Sequence, residues 1–280
     1  MLRRAGLGIL VGAVLIASSG ASAGPALVFE PYNGTVFYAE DPDAQWFPAS
    51  LTKLMTAYVT FQALKAGTVT PDTKLICSKE ATEQAPSKLW LKAGEAITLD
   101  VALKVLIVQS ANDVAVMIAE GIAGSQEAFV QRMNEAAQHL GMTRTNFANV
   151  NGLPDERQFT TARDLAKLAR AIIIAFPEHA DLFTTVEVQV GKQIIRTHYG
   201  LLVSLPGADG MITGSFATPE SMLLRARPGT AANWSPSCWE SRRWPRAACA
   251  RPISWKTASG AISGSRCSAP ASMGWRSKPH

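Results

Sequence analysis

The chain has 280 residues, 47% of them apolar, and a formal net charge of +5. That length and composition give a globular protein, one large domain or two small ones, with a substantial core. Residues 1–214 carry 17 basic and 20 acidic groups and residues 215–280 carry 10 and 2, so the body lacks the basic, aromatic-interleaved face a nucleic-acid binder needs.

The first 23 residues read as a secretory signal: Arg3 and Arg4 supply positive charge, 5–17 an apolar stretch, and Ala21-Ser22-Ala23 a small-residue cleavage site. Thirteen apolar residues are short for a bilayer span, so export is expected rather than a permanent anchor. Next come two strands, 27–30 and 35–38, joined through Tyr32-Asn33-Gly34 as an antiparallel hairpin. A helix is predicted over 50–64, stopped by Gly67 and apolar on nearly every side, hence buried, with Ser50 at its start.

Ser50 and Lys53 lie one helical turn apart within Pro48-Ala49-Ser50-Leu51-Thr52-Lys53, so their side chains share a face. A serine hydroxyl is a weak nucleophile that needs a neighbouring base, and an amine held in a dry pocket can become one. By itself the spacing is weak evidence, because an N-cap serine with a solvated lysine looks the same. Sixty residues later Ser110-Ala111-Asn112 falls between apolar helical runs at 99–108 and 114–122, where a polar loop can reach into a cleft. Ser125 caps a helix to about Leu140, and Thr161 with Asp164 forms a capping box for a helix over 162–175. Beyond Pro177 the pattern turns to strand, clear over 186–190 and weaker over 194–202. A third polar motif, Asp209-Gly210-Met211-Ile212-Thr213-Gly214, follows. Strands at both ends of a helical middle predict an α+β (α/β) fold, an antiparallel sheet flanked by helices.

Ser-x-x-Lys, Ser-x-Asn and a Lys-Thr-Gly-like triplet, in that order, are the signature set of penicillin-binding proteins and class A β-lactamases. The chain resembles the D-alanyl-D-alanine carboxypeptidases, the low-molecular-mass penicillin-binding proteins. The resemblance runs from Leu27 to Gly214 and includes Trp90-Leu91-Lys92-Ala93-Gly94-Glu95, Asn151-Gly152-Leu153-Pro154, Thr160-Thr161-Ala162-Arg163-Asp164 and Pro206-Gly207-Ala208-Asp209-Gly210-Met211. It implies a β-lactamase/transpeptidase-like fold with a five-stranded sheet between helical layers and a cleft along the third-motif strand. It also implies Ser50 as nucleophile, Lys53 as base and Ser110 as proton relay, with Asn112, Thr213 and Gly214 contacting substrate. The implied substrate is a peptidoglycan stem peptide ending in D-alanyl-D-alanine, with β-lactams as covalent inhibitors. No cofactor or metal is implied, and the place of action is the periplasm or the outer face of the cytoplasmic membrane, with peripheral membrane contact allowed. A class A β-lactamase would need a deacylating glutamate before the third motif, and no such pattern occurs after Pro154.

The chain departs from the family at Ile212, where the family keeps a lysine, and throughout residues 215–280, which hold five of the seven tryptophans and show no helix or strand periodicity. Regrouping the coding bases so that each codon starts on the third base of the residue before forces Leu at Asn233-Trp234, Leu at Cys238-Trp239, Gly at Trp239-Glu240 and Glu at Trp255-Lys256. With the free bases chosen suitably, the result resembles the stretch downstream of Lys-Thr-Gly in the family. The expected organisation is therefore a signal at 1–23, an incomplete catalytic domain at 24–214 and an aberrant basic tail at 215–280 after a one-base shift. An unstructured extension is the alternative, as is an inactive or non-folding descendant. The sheet part after Gly214 would then be missing, leaving the third motif on an unpaired edge. Cys77 is alone in the body, so no disulfide framework is legible, and His139, His179, His198 and His280 show no metal-ligand spacing.

If the signal reading holds, N-terminal sequencing of the exported product should return Gly24 as its first residue; Met1 retained on a cytoplasmic product would refute it.

Overall fold

Leu54, Met55, Ala57 and Phe61 are fully buried, and so are the polar Thr52, Lys53, Thr56 and Thr60 on the same helix. A helix with no solvated face has to run through the middle of a domain, and this one does. The computed structural model describes residues 24–197, 208–214 and 221–226. The expected signal, residues 198–202 of the second C-terminal strand and residues 215–220 and 227–280 of the tail lie outside the described residues.

Strands β1 (Ala26–Phe29) and β2 (Val36–Glu40) form the expected antiparallel pair, turning through Gly34 at φ 76°. A short 3-10 turn, Ala49–Leu51, leads directly into α1 (Thr52–Lys65). Ser50 therefore sits in the turn before the helix and not in its first α turn. Strand β3 (Lys74–Ile76), helix α2 (Lys79–Glu83) and strand β4 (Ala96–Thr98) follow, with β3 antiparallel to β4. Three helices then build the middle: α3 (Leu99–Val108), α4 (Asn112–Ala123) and α5 (Gln126–His139). Together with α6 (Ala162–Ala175) they enclose α1.

The helix ends follow side-chain chemistry. Thr98, Ser125 and Thr161 each accept a backbone N–H three residues on, and Gly124 closes α4 in the left-handed conformation at φ 82°. The capping box expected at Thr161 is only half formed. Asp164 Oδ2 accepts the Arg144 N–H and the Thr145 hydroxyl, and Asp164 Oδ1 accepts from Lys167 Nζ at 2.7 Å. That carboxylate ties the 144–145 loop to α6 instead of capping its own helix, because a buried carboxylate gains more from three donors than from one.

After a 3-10 stretch (Pro177–Thr184), β5 (Glu187–Val190) and β6 (Gln193–Arg196) pair through a turn at Gly191. Strand β7 (Ala208–Gly214) pairs antiparallel with β8 (Ser221–Ala226), Thr213 opposite Met222 and Gly214 opposite Ser221. Two expectations are corrected here. The described strands form four antiparallel pairs, not one five-stranded sheet, since no described strand joins the β1–β2 pair to the β7–β8 pair. The third motif is also not left on a bare edge. Strand pairing runs through backbone N–H and C=O groups, so Ser221–Ala226 can pair without the side-chain alternation whose absence hid it in the sequence.

Phe61 of α1 has its ring 5.6 Å from that of Phe176 and stacked at 4.2 Å on His179. Burial lowers the pKa of His179 below its usual value of 6.5, against a weaker opposing pull from Glu178. No helix among the described residues is long and apolar enough to cross a membrane. Phe61→Ala should destabilise the domain by about 3–5 kcal/mol, the cost of a large buried ring and its cavity; a denaturant titration showing a loss under about 1 kcal/mol would mean that this region repacks freely.

Candidate active site

At the head of α1, Lys53 Nζ lies 3.2 Å from Ser50 Oγ and donates to the backbone carbonyl of Asn151 at 2.6 Å. Lys53 is fully buried. Burial lowers its pKa from 10.5 to about 7, opposed in part by the field of Asp113. An ammonium stripped of water and facing only a carbonyl and a hydroxyl is costly, and shedding the proton relieves that cost. Near neutral pH a substantial fraction of Lys53 is therefore free amine, whose lone pair can take the Ser50 proton along the existing contact.

The Asn151 carbonyl comes from a segment laid along α1. Thr56 Oγ1 donates to Val150 O at 2.6 Å, one turn below Lys53. A side chain at Gly152 is impossible: its φ is +87°, and an added Cβ would fall 1.9 Å from the Ala49 carbonyl oxygen. The turn is braced from within, the Gly152 N–H donating to Asn149 Oδ1 at 2.7 Å and Asn149 Nδ2 to Leu153 O at 2.8 Å. Ala49, next to the nucleophile, takes φ +48° although it is not glycine.

Ser110 also has a positive φ, +56°, and its Oγ is buried with no hydrogen-bond partner. It bonds neither Ser50 nor Lys53. Strain and an unsatisfied hydroxyl at one residue are costs of roughly 1–3 kcal/mol each, typical of a group set aside for another molecule. Asn112 opens α4 with its backbone N–H on Ser87 O at 2.8 Å and its Nδ2 on Ala85 O and Pro86 O at 2.8 and 3.2 Å. Its amide nitrogen is thus spent on the 85–87 loop, and only its carbonyl oxygen is left to offer.

Strand β7, which carries Thr213 and Gly214, packs against the 3-10 turn that carries Ser50. Met211, on the same strand, is buried in the core. Sequence reasoning missed three contributors. Asn151 acts through a backbone carbonyl, which leaves no side-chain signature. Gly152 was legible only within the family phrase Asn151-Gly152-Leu153-Pro154. Asp113, buried, accepts the N–H groups of Leu89, Trp90 and Val114 at 2.9, 3.0 and 2.8 Å; its signal was an aspartate directly after Ser-x-Asn. No cluster of metal-ligating side chains occurs among the described residues.

A profile of the D-alanyl-D-alanine carboxypeptidase family, peptidase family S11, matches residues 15–225. The chain belongs to that family. It is 37% identical to D-alanyl-D-alanine carboxypeptidase DacC of Escherichia coli over 192 residues, 66% of this chain and 48% of the relative. It is 32% identical to the DacF enzyme of Bacillus subtilis over 194 residues, 68% and 50%. The chain thus spans about half the length of these curated relatives. Among solved structures, penicillin binding protein 5 of Haemophilus influenzae superposes with a TM-score of 0.70 at 30% identity, covering 73% of this chain and 61% of that one. Penicillin binding protein 6B of Escherichia coli gives 0.70 at 32%, covering 74% and 68%. The transpeptidase-like fold expected from the sequence is therefore the fold observed.

The depressed Lys53 pKa has a measurable consequence for stability. Between about pH 7 and the ordinary lysine value of 10.5, the unfolded chain binds one proton more than the folded one. Stability should therefore rise with pH across that window, by about 1.4 kcal/mol per unit, and be flat in this respect below about 7, where folded and unfolded chains both carry the proton. Lys53→Met should remove this slope. Urea unfolding at several pH values checks it, and a slope common to both proteins would contradict a neutral buried amine.

Proposed function

We propose that this chain is a serine-type D-alanyl-D-alanine carboxypeptidase that removes the terminal D-alanine of peptidoglycan stem peptides after export to the periplasm or the outer face of the cytoplasmic membrane. The observation that carries the reading is a fully buried lysine 3.2 Å from a serine hydroxyl at the head of the central helix. Ser50 Oγ attacks the carbonyl carbon of the penultimate D-alanine while Lys53 takes the hydroxyl proton. The Oγ–C bond forms and the C–N bond breaks. The departing amine takes a proton through Ser110, whose unpartnered hydroxyl is free to relay it. Water then attacks the ester, with Lys53 again as base, and releases the shortened peptide.

Asn112 offers its carbonyl oxygen to the substrate amide, and Thr213 and Gly214 line the wall along β7. Ile212 is the weak point. The substrate's terminal carboxylate calls for a cation, and a charged hydrogen bond is worth about 1.5–3 kcal/mol. Its loss slows acylation by roughly ten- to a hundredfold.

A labelled penicillin should acylate Ser50 and fail to label the Ser50→Ala protein. The acylation rate should rise with pH and level off above about 7, as the amine becomes free. Ile212→Lys should speed it by roughly ten- to a hundredfold. A peptide map placing the adduct on Ser110, or a rate that falls as pH rises through 7, would overturn the assignment.

A further inference from the structure

Trp90 is presented to solvent by an unusually well-built support. Its neighbour Leu89 is buried and Leu91 packs on the core, while Trp90 is 66% exposed at φ +65°. A bulky residue in the left-handed region is strained. The Asp113 carboxylate holds it there by accepting the N–H groups of Leu89 and Trp90. Beneath the indole, Lys88 Nζ sits 4.5 Å from the ring centroid and donates to Thr82 O at 2.6 Å, while the rest of Lys88 is buried. The Lys88 carbonyl accepts from Gln109 Nε2 at 2.9 Å, so the segment is tied to the residue just before Ser110. One face of the indole is thus set over a cation and the side chain is open to solvent, its backbone bonded to Asp113 directly after the Ser110–Asn112 motif.

We propose that Trp90 is a substrate-contacting residue, a platform for a pyranose ring of the glycan to which the stem peptide is attached. The choice of polymer rests on the reaction proposed above; the choice of sugar rests on the platform. A cation on the inner face draws ring electron density toward itself, which disfavours a second full cation on the outer face far more than the weakly polarised C–H groups of a neutral ring. A purely apolar group would gain little from so open a surface. A pyranose has a flat C–H face to lay on the ring and hydroxyls at its rim that stay in water.

Its place in the chain agrees: the Trp90 N–H is bonded to Asp113, three residues beyond Ser110, and the Lys88 carbonyl to Gln109, one residue before it.

The test measures binding, not turnover. Dissociation constants of the Ser50→Ala chain are determined for a disaccharide-pentapeptide and for the same pentapeptide without sugars. Adding Trp90→Ala should weaken the disaccharide-pentapeptide about three- to tenfold, change the free pentapeptide by less than about twofold, and leave the melting temperature in place; Trp90→Phe should restore most of the difference. Equal weakening of both ligands, no weakening of either, or no binding of the disaccharide-pentapeptide to the Ser50→Ala chain would overturn the proposal. Trp90-dependent sugar binding in a chain that penicillin does not acylate at Ser50 would sink the proposed reaction and leave the platform standing.

Discussion

A lysine with no solvent contact and no carboxylate bonded to it is the constraint on which the rest of this structure depends. Its desolvation has to be offset, and the partners that do so fix the geometry around it. One is the Ser50 hydroxyl, the other the Asn151 carbonyl. That carbonyl can point at α1 only if the chain at 151–152 presses against the turn carrying Ser50, and it can press so closely only because residue 152 has no Cβ. Asn149, Gln158 and Gln84 then hold the turn, Gln158 Oε1 accepting the N–H groups of Ala148 and Asn149 at 3.1 Å and Asn151 Nδ2 donating to Gln84 Oε1 at 2.8 Å. A network of amides brought together from three parts of the chain serves to keep one amine in place and dry.

The same region concentrates backbone strain. Ala49, Trp90 and Ser110 all take positive φ without being glycine, at roughly 1–3 kcal/mol each. Each is followed or faced by something that over-determines it. Ala49 leads into a fully buried helix, Ser110 precedes the α4 start pinned by Asn112, and Trp90 hangs from Asp113. The apolar core supplies the surplus, with α1 enclosed by α3, α4, α5 and α6. Strained residues in a rigid surround are what positions a hydroxyl to within a fraction of an ångström.

What was legible in the sequence divides along physical lines. Ser125 and Thr161 announced their helices because a cap is a local side-chain event, and α1 announced its burial because its apolar residues cover every side. The Ser50–Lys53 contact was legible because one helical turn fixes which side chains meet, even though Ser50 proved to sit in a 3-10 turn. The Lys53–Asn151 bond was not legible, since a carbonyl 98 residues away carries no residue-type signal. Asp164 read as a cap and acts as a tie between loop and helix, because local pattern cannot show which distant donors burial will deliver. Ser221–Ala226 read as patternless and forms a strand, because backbone pairing to β7 needs no alternation. The five-stranded sheet came from resemblance alone, and no described strand links the four pairs.

The site is thereby divided between two kinds of support. Ser50, Lys53, Ser110 and Asn112 stand on α1, α4 and the loops packed between them, all within one apolar core. Thr213 and Gly214 stand on β7, whose hold on the site comes from Met211 in that core, from packing on the Ser50 turn and from a ladder to β8 with a register shift between Gly210 and Thr213. The Ser50–Lys53 pair therefore takes its hydrogen bonds from α1 and the 151–152 turn, not from the strand proposed to grip the substrate's carboxylate. Sheet geometry can align a wall, but it cannot supply a charge, so pairing with β8 does nothing for the cation missing at Ile212. Lys53 is no substitute either: it is sealed beneath Ser50, and near neutral pH much of its population has no charge to offer. In the proposed reaction, nucleophile activation and anion recognition thus rest on separate supports, and lacking the cation at 212 slows acylation without altering the Ser50–Lys53 contact.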